Sequence, residues 1–149
     1  MLLAMQVRPL TATYAGEAAH IHRAAFDERL PWLAGLHTPD EDREFWRERV
    51  FRDCEVHGVF DGDRLIGVMA LRDSWIDQLY VFPDAQGRGA GTALLRLAQA
   101  GQSDLSLWTF QKNTGARRFY ERNGFAAVEE TDGSGNEERE PDVCYRWRR

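Results

Sequence analysis

Gln86-Gly87-Arg88-Gly89-Ala90-Gly91 stands between an apolar strand and an apolar helix. This restricts the chain to folds in which a strand hands a tight glycine turn directly to a helix N-terminus. The strand is Trp75-Ile76-Asp77-Gln78-Leu79-Tyr80-Val81, closed by Phe82-Pro83-Asp84, and Leu94, Leu95, Leu97 and Ala98 are predicted to form the buried face of the helix. The first N–H groups of such a helix lack internal partners and carry partial positive charge. The turn therefore suits an anionic group, above all phosphate.

At 149 residues with 43% hydrophobic content, the chain suits a single domain over residues 1–149 with one core. No apolar run approaches the roughly 20 residues that cross a bilayer. The start, Met1 to Arg8, lacks the basic lead and cleavage site of a secretory signal. No membrane partner and a cytoplasmic location are the expectations. Cys54 and Cys144 are far apart with no CxxC spacing, which predicts two buried thiols and neither a disulfide framework nor a metal site.

A net charge of −5 argues against nucleic acid as a partner. Its distribution is uneven. From Gln86 to Arg118, Arg88, Arg96, Lys112, Arg117 and Arg118 face Asp104 alone, so the segment with the glycine turn is basic. From Glu129 to Asp142 the acids Glu129, Glu130, Asp132, Glu137, Glu138, Glu140 and Asp142 face only Arg139. That stretch reads as a solvated loop or as an attractor for a cationic substrate.

Elements alternate along the chain without an internal repeat. A short strand at Gln6–Arg8 precedes a helix from about Tyr14 to Asp27. Thr38-Pro39-Asp40-Glu41 then opens a second helix with Thr38 as cap, Pro39 in the first turn and Glu41 closing a capping box. Strands at Cys54–Phe60 and Leu65–Leu71 are joined by the hairpin turn Asp61-Gly62-Asp63, and Trp75–Val81 continues that sheet antiparallel. After the glycine-turn helix, Leu105–Phe110 returns parallel to the strand before the crossover. A helix at Thr114–Arg122, stopped by Asn123-Gly124, and strands at Phe125–Glu129 and Val143–Trp147 complete an α/β fold. Its sheet is mixed, with helices on both faces.

Two phosphate sites can be eliminated. A dinucleotide site wants GxGxxG and an acid about 20 residues on, but the spacing here is GxGxG and the corresponding position is Leu107 in an apolar strand. No GK[ST] follows, so a P-loop is excluded.

The residues resemble the GNAT superfamily of acyl-CoA-dependent N-acyltransferases. Gln86, Gly89 and Gly91 match its [Q/R]-x-x-G-x-[G/A] turn after the strand Leu79-Tyr80-Val81. Asn113 through Phe125 looks like its N-x-x-A-x-x-F-Y-x-x-x-G-F signature. Together the two motifs cover roughly a third of the chain, and the element order extends the likeness over nearly all of it. The resemblance implies acetyl-CoA as donor, no metal, and a mostly antiparallel sheet with a splayed parallel pair.

Residue by residue, the resemblance implies that the backbone of Gln86, Gly87, Arg88, Gly89, Ala90, Gly91 and Thr92 binds the pyrophosphate. Leu79, Tyr80 and Val81 would hold the acyl and pantetheine portion, with Asn113, Ala116, Arg117 and Phe119 on the far wall. Arg88, Lys112, Arg117 and Arg118 are candidates for the nucleotide phosphates, each equally readable as a surface cation. Tyr120 occupies the position that protonates the leaving thiolate, and packing under the cofactor is its plainer use.

An amine near its reference pKa of about 10 must lose a proton before it attacks. Asp77, the acid of the central strand, is the candidate acceptor of that proton if an apolar setting raises its pKa. Many family members carry their acid nearby on this strand, where this chain has Trp75 or Gln78, and some use waters. His37, His57 and Glu137 are further candidates. The resemblance directs the acceptor to Trp32, His37, Trp75, Asn136 and Glu137, around loops where an acidic rim favours a cationic small-molecule or peptide amine. Monomer and homodimer are both compatible, and a catalytically silent acyl-CoA sensor or interaction module is the alternative to an enzyme.

Overall fold

A computed structural model describes residues 5–149, so the first four residues of the Met1 to Arg8 stretch read above lie outside the described residues. Strand β1 (Met5–Pro9) leads through a short 3-10 turn to α1 (Ala15–Arg29). The buried side chains of α1 are Ala15, Ala18, Ala19, Ile21 and Ala25, mostly small, so the helix can lie close to the sheet. Thr38 caps α2 (Pro39–Phe45) with the expected box: its hydroxyl accepts from the Glu41 N–H, and the Glu41 carboxylate accepts from the Thr38 N–H. The helix then widens into a π turn at Trp46–Val50 before α3 (Phe51–Asp53). Nothing in the apolar spacing announced that widening. Trp46 is fully buried there, with its indole N–H donating to His22 Nδ1 at 3.0 Å.

The strands β2 (Glu55–Asp61), β3 (Arg64–Arg72), β4 (Trp75–Val81), β5 (Asp104–Phe110), β6 (Ala126–Glu130) and β7 (Asp142–Arg148) join β1 in one sheet of order β1-β2-β3-β4-β5-β7-β6. Every neighbouring pair is antiparallel except β4 with β5. The mixed, mostly antiparallel α/β sheet is therefore present. One core lies under α4 (Ala90–Gly101) and α5 (Thr114–Arg122), built on Ile66, Leu94, Leu95, Leu105 and Tyr145. The other lies under α1 and the π turn, built on Ile21, Trp46, Phe60 and Val68.

Leu97 departs from its predicted place, since it is 39% exposed and Gln99 is buried instead. At 100° per residue Gln99 falls close to Leu95, whereas Leu97 lies well round the helix from both Leu95 and Ala98. Gln99 can be buried because both ends of its amide are bonded, to the Asn123 carbonyl and to Arg96. At the end of α5 the Phe125 and Gly124 N–H groups reach back to the Tyr120 and Glu121 carbonyls, with Gly124 at φ +89°. This is a left-handed stop of the expected kind.

Candidate active site

β4 and β5 share a single register pair, Trp75 with Ser106, and then diverge. The strands leave a groove of about 490 Å³ between them. Its walls include Leu79, Tyr80 and Val81 on one side, Thr109, Phe110 and Asn113 on the other, and the glycine turn at one end. Phe26 of α1 meets the Phe110 ring edge-on at 6.1 Å and closes one side.

The backbone of β4 faces this groove in alternation. The Phe82 N–H donates to the Ile66 carbonyl at 2.9 Å. Antiparallel pairs alternate between bonded and unbonded, so Tyr80 bonds back to β3, while the N–H and C=O groups of Leu79 and Val81 point into the splay. The Gln86 side-chain amide confirms the direction by donating to the Val81 carbonyl at 3.1 Å. Upstream, Ala70 lies opposite Gln78 and Leu71 opposite Ile76, so Asp77 is the extra residue of a bulge. The bulge puts Ile76, Leu79 and Val81 against the core under α4 and α5 and turns Tyr80 to the core under α1.

At the turn, Gly87 and Gly89 take φ of +77° and +90°, which glycine adopts without penalty. The first bond of α4 runs from the Ala93 N–H to the Gly89 carbonyl. None of the N–H groups from Gly87 to Thr92 has an acceptor among the described residues. That array, at a helix N-terminus and beside an open groove, fits the diphosphate of a nucleotide-type ligand.

Among the residues expected to hold the donor, Leu79, Tyr80, Val81, Gln86, Gly87, Gly89, Ala90, Gly91, Thr92, Asn113, Ala116 and Phe119 line the groove. Asn113 is also the N-cap of α5, its side-chain oxygen accepting from the Ala116 N–H. Two expected arginines do not line it. Arg88 turns away to Asp61 at 2.7 Å. Arg117 is spent on the Tyr145 hydroxyl and Glu130, and Lys112 pairs with Glu140.

Tyr120 lines the groove and is only 7% exposed. Its hydroxyl has no hydrogen-bond partner among the described residues, and burial holds the phenol above its ordinary range. A phenol so placed keeps its proton and can donate it. Asp77 also lines the groove, but its surroundings are not the apolar setting expected. The bulge brings its carboxylate to Arg72 Nε at 2.8 Å and to the Cys54 thiol at 3.6 Å. That thiol is half-buried rather than buried, and desolvation pushes it up to about 11; the Cys144 thiol is buried.

Of the residues expected around the acceptor, Trp32, His37, Asn136 and Glu137 make loop contacts and Trp75 starts β4, and none of the five lines the groove. His37 Nε2 lies 2.9 Å from Glu137, tying the α1–α2 connection to the acidic loop. Trp32 does the same, donating its indole N–H to Glu140 at 2.8 Å while its ring stays 53% exposed. Asn136 is consumed within its own loop, bonded both ways to the Glu140 backbone. Glu140, 6% exposed, is thus a buried anchor and not a solvated charge. Motif reading missed Phe26, Arg29 and Arg122, which also line the groove. Only the later proximity of α1 brings the first two there, and no local spacing encodes it.

Among the described residues no group of three or more His, Cys, Asp or Glu side chains is placed to hold a metal ion. No helix among them is long and apolar enough to cross a membrane.

A family model described as the acetyltransferase (GNAT) family matches residues 19–125. An uncharacterized N-acetyltransferase, MJ1207 of Methanocaldococcus jannaschii, is 33% identical over 96 residues, covering 54% of this chain and 40% of that protein. Peptidyl-lysine N-acetyltransferase YiaC of Escherichia coli is 35% identical over 93 residues, covering 57% of this chain and 64% of that protein. Each match spans less than two thirds of the relative's own length. Among solved structures, apo YjaB from Escherichia coli superposes with a TM-score of 0.81 at 19% identity, covering 97% of both chains. The PaiA N-acetyltransferase of Thermoplasma acidophilum in complex with coenzyme A gives 0.74 at 21% identity, covering 98% of this chain and 99% of that one. At these identities the structures show a shared fold.

Proposed function

The chain belongs to the GNAT acetyltransferase family, and from that premise we propose that it transfers an acetyl group from acetyl-CoA to a primary amine. The observation that carries the reading is the row of unpartnered N–H groups from Gly87 to Thr92 at the end of a splayed strand pair that also holds Tyr120. Acetyl-CoA would supply an activated thioester acyl group, with its sulfur as the leaving atom. The turn N–H groups would bind its diphosphate, and the Leu79 and Val81 backbone would align the pantetheine arm and polarise the acyl carbonyl. As the new N–C bond forms and the C–S bond breaks, the Tyr120 hydroxyl would give its proton to the departing sulfur and regain one from solvent in the open groove. Asp77, the acid of β4 that lines the groove, would take the amine proton, oriented by its Arg72 pair rather than poised by an apolar setting. The acceptor is an amine of a small molecule or a peptide. Two relatives named peptidyl-lysine N-acetyltransferases, YiaC of Escherichia coli and YjaB of Salmonella typhimurium, support a peptide lysine as the first class to test.

The test is thiol release from acetyl-CoA over a panel of lysine peptides and small amines, with Tyr120→Phe beside the wild type. Turnover of the variant should fall by about 10² or more, while the calorimetric affinity for CoA stays within about twofold. Tight CoA binding with no thiol release on any amine would favour a silent sensor, and equal loss of turnover and affinity would make Tyr120 a packing residue.

A further inference from the structure

We infer that Arg29, outside both motifs, is a ligand for the donor's diphosphate; the inference rests on the acetyl-CoA reading above. Arg29 ends α1, on the opposite side of the groove from the turn's own helix, and it lines the groove. One guanidinium nitrogen donates to Gln86 Oε1 at 2.6 Å. The group also rests against the start of α5, where a Cβ on Gly115 would stand 2.6 Å from another of its nitrogens. Glycine at 115 therefore admits the guanidinium, which spans the mouth of the groove from the turn wall to the α5 wall.

The plain alternative is a surface cation, and its partners argue against that. Arg64, Arg72, Arg88 and Arg117 each have a carboxylate partner, whereas Arg29 has none among the described residues and donates to a neutral amide oxygen; Arg8 and Arg96 share that kind of partner, but of the three only Arg29 lines the groove. A phosphate oxygen is a much stronger acceptor for a guanidinium than an amide is, and it can be met by two parallel N–H groups. Gln86 in turn donates to the Val81 carbonyl, so Arg29, Gln86 and Val81 form a relay along the groove. A ligand that bonds the Val81 backbone releases Gln86, and Arg29 is then free to turn its planar fork onto the diphosphate, which the Gly87–Thr92 N–H groups hold from the other side.

The test is calorimetric binding of CoA, of dephospho-CoA and of pantetheine to the full chain and to Arg29→Ala. The dissociation constants for CoA and dephospho-CoA should both rise about tenfold or more in the variant, and that for pantetheine, which has no phosphate, should not change. An unchanged CoA affinity overturns the inference. So does an equal loss with pantetheine, which would make Arg29 a support for the groove, or a loss confined to CoA, which would place the guanidinium on the ribose phosphate. A wild type that binds no CoA overturns the acetyl-CoA reading itself and the inference with it.

Discussion

His22 should make the fold acid-sensitive in a window set by one half-buried imidazole. Burial, with Arg23 adding to it, lowers its pKa from 6.5 to about 4; Asp42 opposes the shift and His37 adds slightly to it. The ring is stacked on Tyr80 with centroids 4.3 Å apart, and its Nδ1 accepts the Trp46 indole N–H at 3.0 Å. Protonation would turn that acceptor into a donor facing a donor. Because the folded pKa lies below the unfolded one, the native state binds the proton less well. The stability is complete above pH 6.5 and is lost as pH falls from about 6.5 toward 4. At about 1.4 kcal/mol per unit, the loss across the window is about 3 kcal/mol, an order-of-magnitude figure. Urea unfolding at pH 7.5, 5.5 and 4 on the wild type and on His22→Gln measures it, since carboxylates that titrate in the same range contribute equally to both. The wild type should lose about 3 kcal/mol more than the variant, with no difference in slope above pH 7. Parallel curves down to pH 4 would show that His22 is not held neutral and would refute the argument.

Gly133→Ala should cost about 2 kcal/mol or more in urea unfolding, because φ is +84° and an added Cβ would lie 2.4 Å from the Glu140 backbone; an unchanged midpoint would show that the loop relaxes freely. Leu95→Ala should cost about 2–5 kcal/mol, and Leu97→Ala less than about 1 kcal/mol, since Leu95 is fully buried and Leu97 is not. Similar losses in the two would contradict the observed rotation of α4. CoA at 100 times its dissociation constant should stabilise the fold by about 2.7 kcal/mol, read as a melting-temperature rise of about 5–10 °C, and no rise at saturating CoA would count against the groove as its site.

What could be read from the sequence was what depends on backbone chemistry close in sequence. The Thr38 capping box, the Gly124 stop and the strand-turn-helix around Gly87 and Gly89 need only neighbouring residues, and all three are present. Side-chain roles that depend on distant neighbours were not legible. The Arg88 side chain, readable as a phosphate ligand or as a surface cation, meets Asp61. Asp77 was expected in apolar surroundings, but a bulge brings it to Arg72. Trp32 and Glu140, 108 residues apart, find each other only after both loops fold over the same end of the sheet. The exchange of Leu97 for Gln99 on α4 is a failure of a different kind. Hydropathy ranked leucine first, yet the helical angle and two hydrogen bonds decided which residue is buried.

The splay itself explains why the donor end could be read and the acceptor end could not. A parallel neighbour would normally satisfy the outward N–H and C=O groups of β4, but after Trp75 and Ser106 no register pair does so. Leaving such groups unpaired costs free energy when they are dry, so the fold keeps them at an open groove and covers one of them, the Val81 carbonyl, with Gln86. The surface proposed for the donor is therefore mostly main chain, and its character follows from where the strands part and where the glycines fall. The end of the fold where the resemblance directs the acceptor is instead built from side chains on two connections, tied by His37 with Glu137 and Trp32 with Glu140. Those contacts can change residue by residue without disturbing the splay. On the proposed reading, one donor site would then be compatible with many acceptors, and the choice among them would rest with the two tied loops.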